Sequence, residues 1–301
     1  MSYLSDNQEM VNAMTVDVED YFQVSAFEST IGRSQWDSIP CRIEKNVEKI
    51  LALFSSADIK ATFFVLGWIA ERYPRVVTKI ADQGHEIASH GYGHQRIVTQ
   101  TPSVFREDLL RSKAVLEDLV DQPVIGYRAP SYSIGESTLW AHDILAESGF
   151  KYSSSVVPVK HDLYGIPNGD RFPYLTAEGR LLEIPISTVR FFGKNINCGG
   201  GGWFRLFPYH FTQWAISSIN RKEMRPSVFY FHPWEIDPNQ PRVKSASAKS
   251  KFRHYVNLSK TSNRLKCLLS DFQWSTMQNV YLNSRMYSEV ESPIMEASKC
   301  H

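Results

Sequence analysis

The chain has 301 residues, 43% of them hydrophobic and 13% aromatic, with a formal net charge of +1. That is enough for one large α/β domain or two smaller ones. It excludes the bulk positive charge of a nucleic-acid binder, and no apolar run is long enough to span a bilayer. The polar stretch from Met1 to Glu9 lacks the basic and apolar regions of a signal peptide, so a cytoplasmic location is expected. The four cysteines are far apart and form no CxxC pair, which argues against a disulfide framework or a thiolate zinc site.

In chain order, Asn12 to Asp17 reads as a first strand that runs into an acidic cluster, Asp17-Val18-Glu19-Asp20. Ile43 to Phe54 follows the 3.6 period of a helix. Ala61 to Gly67 is an apolar run of strand length, as in a strand covered on both faces. A helix from Arg75 to Gln83 is closed by Gly84, and a short strand, Glu86 to Ser89, enters the sequence His90-Gly91-Tyr92-Gly93-His94. Thr101-Pro102 opens a long helix as N-cap and first helical residue. Val124 to Tyr127 reads as a strand ending at Arg128-Ala129-Pro130. A helix follows from Ser137 to Ser148, and then a strand from Phe150 to Val157.

The second half is less regular. Arg180 to Val189 reads as an edge strand because it carries Pro185. Gly199 to Trp203 reads as a loop, and not a phosphate-binding one, since no Lys-Ser/Thr follows. Tyr209 to Asn220 is a helix, and Ser227 to Phe231 is a strand that ends at His232-Pro233-Trp234-Glu235. Asp237 to Ser250 reads as a mobile loop, Thr261 to Phe272 as a last helix, and the residues beyond Ser284 as a loose tail.

Strands alternating with helices over short links are the mark of βαβ units, in which reactive groups gather at the carboxyl ends of the strands. The acidic cluster, His90 with His94, Arg128 and His232 all fall at such ends, so they share one rim. Two imidazoles and a carboxylate would hold a transition metal and leave positions open for water and substrate. A second carboxylate could take the proton of the attacking water. Arg128 could keep that base ionised or orient it, and His232 could protonate a leaving group. These parts suit metal-assisted hydrolysis of an amide or ester.

Thr15 to Asp20, Ser89 to His94, Arg128-Ala129-Pro130-Ser131-Tyr132 and Phe231-His232 resemble, in that order, the motifs of the polysaccharide deacetylases (the NodB-homology, carbohydrate esterase family 4 proteins). The resemblance covers about residues 12 to 235. It implies an α/β fold, a distorted (β/α) barrel, and removal of the acetyl group from an N-acetylhexosamine of a polysaccharide or lipid-linked precursor. It also implies a divalent metal, zinc first, with cobalt or manganese as alternatives. Glu183 through Gly199–Phe204 to Phe252–Tyr255 is similar to the C-terminal extension of a subgroup found with exopolysaccharide and O-antigen gene clusters. The expected division is a barrel over 1–240 and an extension packed on it over 241–301. A glycan or glycolipid substrate, with peripheral association at the inner membrane face, follows from the same resemblance. The oligomeric state stays open.

Position by position, the resemblance makes Asp17 the general base, His90 and His94 metal ligands, Arg128 the partner of the base and His232 the general acid. The family commonly follows the base with a second acid as ligand, but here Val18 stands there. Glu19 is the chosen ligand, because residues two apart on a strand point to the same side, and Asp20 is the alternative. The stretch Tyr152 to Ser155 lacks the acid that often supports the late histidine, which leaves Glu235 or Glu183 as replacement. Tyr132 and Trp234, with Pro130 beside them, are candidate substrate contacts, as are Trp203 and Tyr92, although ordinary packing accounts for each. His85 and His254 read as structural or exposed residues rather than ligands. Two other functions remain open at this point: an amidase of non-sugar amides on the same fold, and a silent glycan-binding module.

Overall fold

The computed structural model describes residues 10–161 and 164–283. The expectations for the N-terminal Met1–Glu9 stretch and for the tail beyond Ser284 lie outside the described residues.

The architecture grows around the first strand, β1 (Val11–Val18), which is buried along nearly its whole length. The next strands follow in chain order: β2 (Thr62–Val65), β3 (Glu86–Ser89), β4 (Gly126–Tyr127) and β5 (Tyr152–Ser153). Each pairs in parallel with the one before it. The crossovers are α1 (Ile43–Ser56), then α2 (Gly67–Arg72) with α3 (Pro74–Asp82), then α4 (Pro102–Val120), then α5 (Ala141–Glu147). Sequential parallel strands with a helix in each crossover keep all helices on one side of the sheet. The sheet therefore curls, with an outer face against the helices and an inner face of its own.

The second half adds β6 (Tyr174–Thr176), β7 (Leu181–Glu183), a separate hairpin of β8 (Thr188–Phe191) and β9 (Lys194–Asn197), and then β10 (Val228–Phe231) and β11 (Gln273–Ser275). β7 pairs in parallel with β5 and antiparallel with β6, so the sheet is mixed. β10 and β11 both join β1 in parallel. The part of the chain beyond residue 240 therefore contributes a strand to the central sheet through β11, and does not only rest on its outside.

The expected barrel is not a closed one. The ladder path ends at β10 and at β6. Between β7 and β10 the gap is bridged by single contacts: Cys198 N donates to Ser187 O (3.1 Å), Tyr230 N to Gly199 O (2.7 Å) and Val228 N to Ser187 Oγ (2.8 Å). Pro185, which has no N–H, interrupts what reads from sequence as one strand over 180–189. The Gly199–Trp203 stretch also differs from the expected loop, since α6 (Gly201–Leu206) begins inside it. Gly200 (φ +124°) presses against the Tyr230 backbone, where a Cβ would lie 1.9 Å from the carbonyl oxygen. The glycines there serve close approach, and the helix starts immediately after. Two further helices, α7 (Tyr209–Lys222) and α8 (Ala248–Tyr255), precede α9 (Leu258–Asp271). The segment expected to be a mobile loop, Asp237 to Ser250, carries buried Gln240 and Ala246 and runs into α8.

Strand parity decides which side chains face inward. Ala13, Phe64, Ala88, Tyr152, Ile184, Val228 and Tyr230 form one apolar cluster, while Met14, Val16, Phe63, Val65, Phe229 and Phe231 belong to another with the helices. Counting by twos along the inner set reaches Asp17 on β1, His90 beyond β3, Arg128 beyond β4 and His232 beyond β10. Gly126 shares the parity of Arg128, and a Cβ there would meet the Tyr152 ring at 2.2 Å. Since Tyr152 is fully buried, it has nowhere to go. Gly126→Ala is expected to cost about 2 kcal/mol or more by overpacking. Gly135→Ala, which meets nothing within 4 Å, should be close to neutral in the same chemical denaturation experiment.

Candidate metal and active site

The loop after β3 carries two histidines because its backbone is tied down. Gly91 and His94 both adopt positive φ (76° and 51°). Asp108 on α4 accepts from Tyr92 N (2.8 Å) and Gly93 N (3.2 Å), and Ser112 Oγ donates to Gly91 O (3.0 Å). Arg33 donates to Gly93 O (2.6 Å) and His94 O (3.1 Å). A Cβ at Gly91 would stand 2.9 Å from Asp108 Oδ2, so the glycine is needed for this approach as well as for its φ.

His90, His94 and Glu19 come together, each offering one ligand atom, with those atoms within 4.8 Å of one another and all three residues buried. His90 Nδ1 lies 2.8 Å from Arg128 O. That carbonyl accepts the ring proton, so the Nε2 lone pair is free to ligate. Burial lowers the His90 imidazolium to about 4, so the ring is neutral, the form that binds metal. Glu19 Oε2 stands 2.7 Å from His94 Nε2 but is not aligned for a hydrogen bond, and is left buried without one. Burial raises the Glu19 carboxyl, but His94, His232 and His90 outweigh it and bring it down to about 2. Trp234 Nε1 donates to the other oxygen, Glu19 Oε1 (3.3 Å). An unsatisfied buried carboxylate oxygen facing two imidazoles is the donor set of a divalent N/O site, so the residues fit a metal ion. Asp20, the alternative ligand, is not in this group. Its carboxylate turns back to accept from Tyr21 N (2.7 Å) and from Arg42 N.

Asp17 lies beside the cluster. Its Oδ1 accepts from Arg128 Nη1 (2.6 Å) and its Oδ2 from the Tyr132 hydroxyl (3.2 Å). Arg128 is fully buried and also donates to Thr15 Oγ1 (2.7 Å), Ser154 O (3.1 Å) and Ser154 Oγ (3.0 Å). Its guanidinium sits over the Phe64 ring at 4.0 Å. The expected β5 is therefore short, because Ser154 and Ser155 leave the ladder to serve Arg128 and its neighbour Ala129.

His232 faces the same point. Its Nε2 is 3.4 Å from Glu19 Oε1 and 3.9 Å from Asp17 Oδ2, and its Nδ1 is 2.6 Å from Glu235 Oε1. Burial pulls the imidazolium down, but Glu19 and Glu235 outweigh it and push it up to about 9. Glu235 is held in turn by Arg205 Nε on α6 (2.5 Å), and Arg205 also donates to the carbonyls of Arg253, His254 and Val256. Glu183, the other replacement considered for the missing acid, is engaged elsewhere, accepting from Ser155 N and Val156 N beside His142. Arg205 escaped the sequence reading. Its signal was a lone charge in the apolar run Gly-Gly-Trp-Phe-Arg-Leu, which demands a buried partner.

The expected substrate contacts sit differently from a sugar platform. Trp234 is only 5% exposed and stacks on His232 (5.2 Å between centroids) and on His254 (4.1 Å). Tyr132 is buried with its hydroxyl on Asp17, and Pro130 is buried at the start of the same turn. His85 is buried too, accepting from Ala61 N, and His254 lies 2.6 Å from Gln240 Oε1.

Residues 34–152 match the family model described as polysaccharide deacetylase, and residues 154–282 match a domain of unknown function, DUF3473. The chain carries a polysaccharide deacetylase family domain followed by a DUF3473 region. The two matched regions share the central sheet, and residues 154–282 bring His232, Glu235 and Arg205 to the site that holds His90, His94 and Arg128. A peptidoglycan deacetylase of Helicobacter pylori is 30% identical over 127 residues, 42% of this chain and 42% of that protein. The chain spans less than half the length of the curated relatives it matches. Among solved structures, a Mycobacterium smegmatis protein classed with the polysaccharide deacetylases is similar over 96% of this chain and 94% of its own, with TM-score 0.61 and 21% identity. An allantoinase, PuuE, is similar over 94% and 91%, with TM-score 0.58 and 16% identity. At these identities the likeness is one of fold.

The two shifted groups give opposite pH signatures in metal-depleted protein. The raised His232 contributes stability that is complete below its unfolded value of 6.5 and is lost as the pH rises through about 9. The depressed Glu19 contributes above its unfolded 4.5, and that part is lost as the pH falls toward about 2. The thermal midpoint of EDTA-treated protein should fall between pH 6.5 and 9, and His232→Gln should flatten that limb.

Proposed function

We propose that the polysaccharide deacetylase site of this chain hydrolyses the N-acetyl group of an N-acetylhexosamine unit, in a polysaccharide or a lipid-linked precursor. The observation that carries this reading is the buried Glu19, His90 and His94 cluster, with Asp17–Arg128 on one side and His232–Glu235 on the other. A divalent ion held by the three ligands, zinc first and cobalt or manganese next, would polarise the acetyl carbonyl and acidify the attacking water. Exopolysaccharide or O-antigen assembly is the biosynthetic setting we assign to it.

The chain's own residues do the proton work. Arg128 pins Asp17 Oδ1, so Oδ2 is the oxygen that takes a proton from the attacking water. As the C–N bond breaks, the departing nitrogen needs a proton, and His232 Nε2, charged at neutral pH, supplies it. Glu235 fixes the His232 ring through Nδ1 and compensates its charge. Acetate and a free amine result. Trp234 keeps Glu19 and His232 in mutual register from beneath, and Tyr132 keeps Asp17 from rotating.

Purified protein supplied with Zn, Co or Mn should release acetate from N-acetylated oligosaccharides. Asp17→Asn should lower kcat by about 10²–10⁴-fold, the range of general-base removal, while the protein still binds one equivalent of metal. Release of product from non-sugar amides, with none from any acetylated aminosugar, would replace this substrate class. Glu19→Gln should instead weaken metal binding itself, by roughly tenfold or more, whereas Asp20→Asn should leave it within a factor of about two. Calorimetric metal titration reads both.

A further inference from the structure

The hairpin of β8 and β9 has no part in the site, yet its tip is unusual. Phe192 is 90% exposed and sits in the left-handed region (φ 45°), followed by Gly193 (φ 75°). A two-residue turn of this kind favours Asn or Gly at its first position, and a phenylalanine there is strained and buries almost nothing. Folding does not explain it. Phe192 also begins a continuous line of rings. Phe192 contacts Phe191, Phe191 contacts Trp214 on α7, Trp214 contacts Phe211, Phe211 contacts Phe207, and Phe207 stacks on Trp203. Phe191, Phe192 and Trp214 are all exposed.

The charge along this stretch of chain has one sign. From Ile184 through Lys222 the chain contains no aspartate or glutamate. Arg190 and Lys194 bracket the tip, both exposed, and neither forms an ion pair among the described residues. Arg221 lies seven residues beyond Trp214, on the same stripe of α7, and is exposed. The acids at the border are occupied: Asp271 accepts from Tyr209 and Gln213, and Glu223 pairs with Arg171.

We propose that this hairpin and the adjoining face of α7 dock on an anionic phospholipid surface. Phe192 and Phe191 would enter the headgroup boundary, Trp214 would lie at its level, and Arg190, Lys194 and Arg221 would meet the lipid phosphates. Protruding aromatic rings flanked by unpaired cations fit such an interface. A glycan-reading face would set flat rings beside carboxylates that hydrogen-bond hydroxyls, and the run from Ile184 through Lys222 supplies none. The inference is independent of the reaction at the metal site.

The test is co-sedimentation of the full chain with vesicles of phosphatidylcholine alone and of phosphatidylcholine with phosphatidylglycerol. Binding to the anionic vesicles, weakened by salt and weak on the neutral ones, is expected. Phe192→Ser should reduce it at least about tenfold, the factor for losing one buried ring. The pair Arg190→Glu and Lys194→Glu should abolish it. Far-UV circular dichroism and metal content should be unchanged, since none of these side chains packs in the core. Absence of binding to anionic vesicles, or equal binding by the variants, overturns the proposal. So does a finding that Phe192→Ser abolishes binding to an acetylated polysaccharide or dissociates a dimer, which would give the surface to a glycan or to a second copy.

Discussion

A fully buried guanidinium beside a buried carboxylate constrains much of this structure. Arg128 and Asp17 both lie inside the curled sheet, and neither charge has water to fall back on. The pair persists because four of the guanidinium's donor contacts are met, by Asp17, Thr15 and two atoms of Ser154. Removing one partner of such a pair typically costs about 3–5 kcal/mol, whereas the intact pair contributes little net stability. The arrangement therefore reads as one kept for chemistry. It also shapes its surroundings: β5 ends early to free Ser154, and Gly126 stays bare so that Tyr152 and Arg128 can share the interior.

The same logic extends to the other side of the metal site. His232 carries its charge in a buried setting because Glu19 and Glu235 face it. Glu235 in turn is ionised because Arg205 faces it, after burial has pushed the other way. Arg205 belongs to the DUF3473 region and donates its remaining N–H groups to the carbonyls of Arg253, His254 and Val256. The DUF3473 region thus supplies His232, Glu235 and Arg205 to the candidate site as well as a strand to the sheet. That is a physical reason for two regions recognised by separate family models to occur in one body.

Much of the site was legible in the sequence because metal ligation and proton transfer admit few residue types. His90 and His94 stand out by spacing between glycines, and Asp17, Arg128 and His232 by their places at strand ends. The choice of Glu19 over Asp20 followed from strand parity, and in the structure Glu19 faces the imidazoles while Asp20 turns back to its own loop. The substrate contacts were less legible. Tyr132 and Trp234 are aromatic residues near the candidate site, and nothing in a linear pattern distinguishes a ring that stacks on a ligand from one that contacts Asp17 or Glu19.

The sequence by itself determined the alternation of strands and helices in the first half of the chain, because apolar periodicity, caps and glycine stops are local properties. It also determined which chemical groups reach the rim, because parity along a parallel strand is fixed by the pleat. Only the tertiary structure decided how the sheet closes, how Pro185 and the glycines from 199 to 202 divide the second half, and which acid accompanies His232. Those outcomes depend on contacts between residues far apart in the chain. Glu235 meets Arg205, and Gly200 meets Tyr230, only after the sheet has curled, and no short-range pattern encodes the meeting.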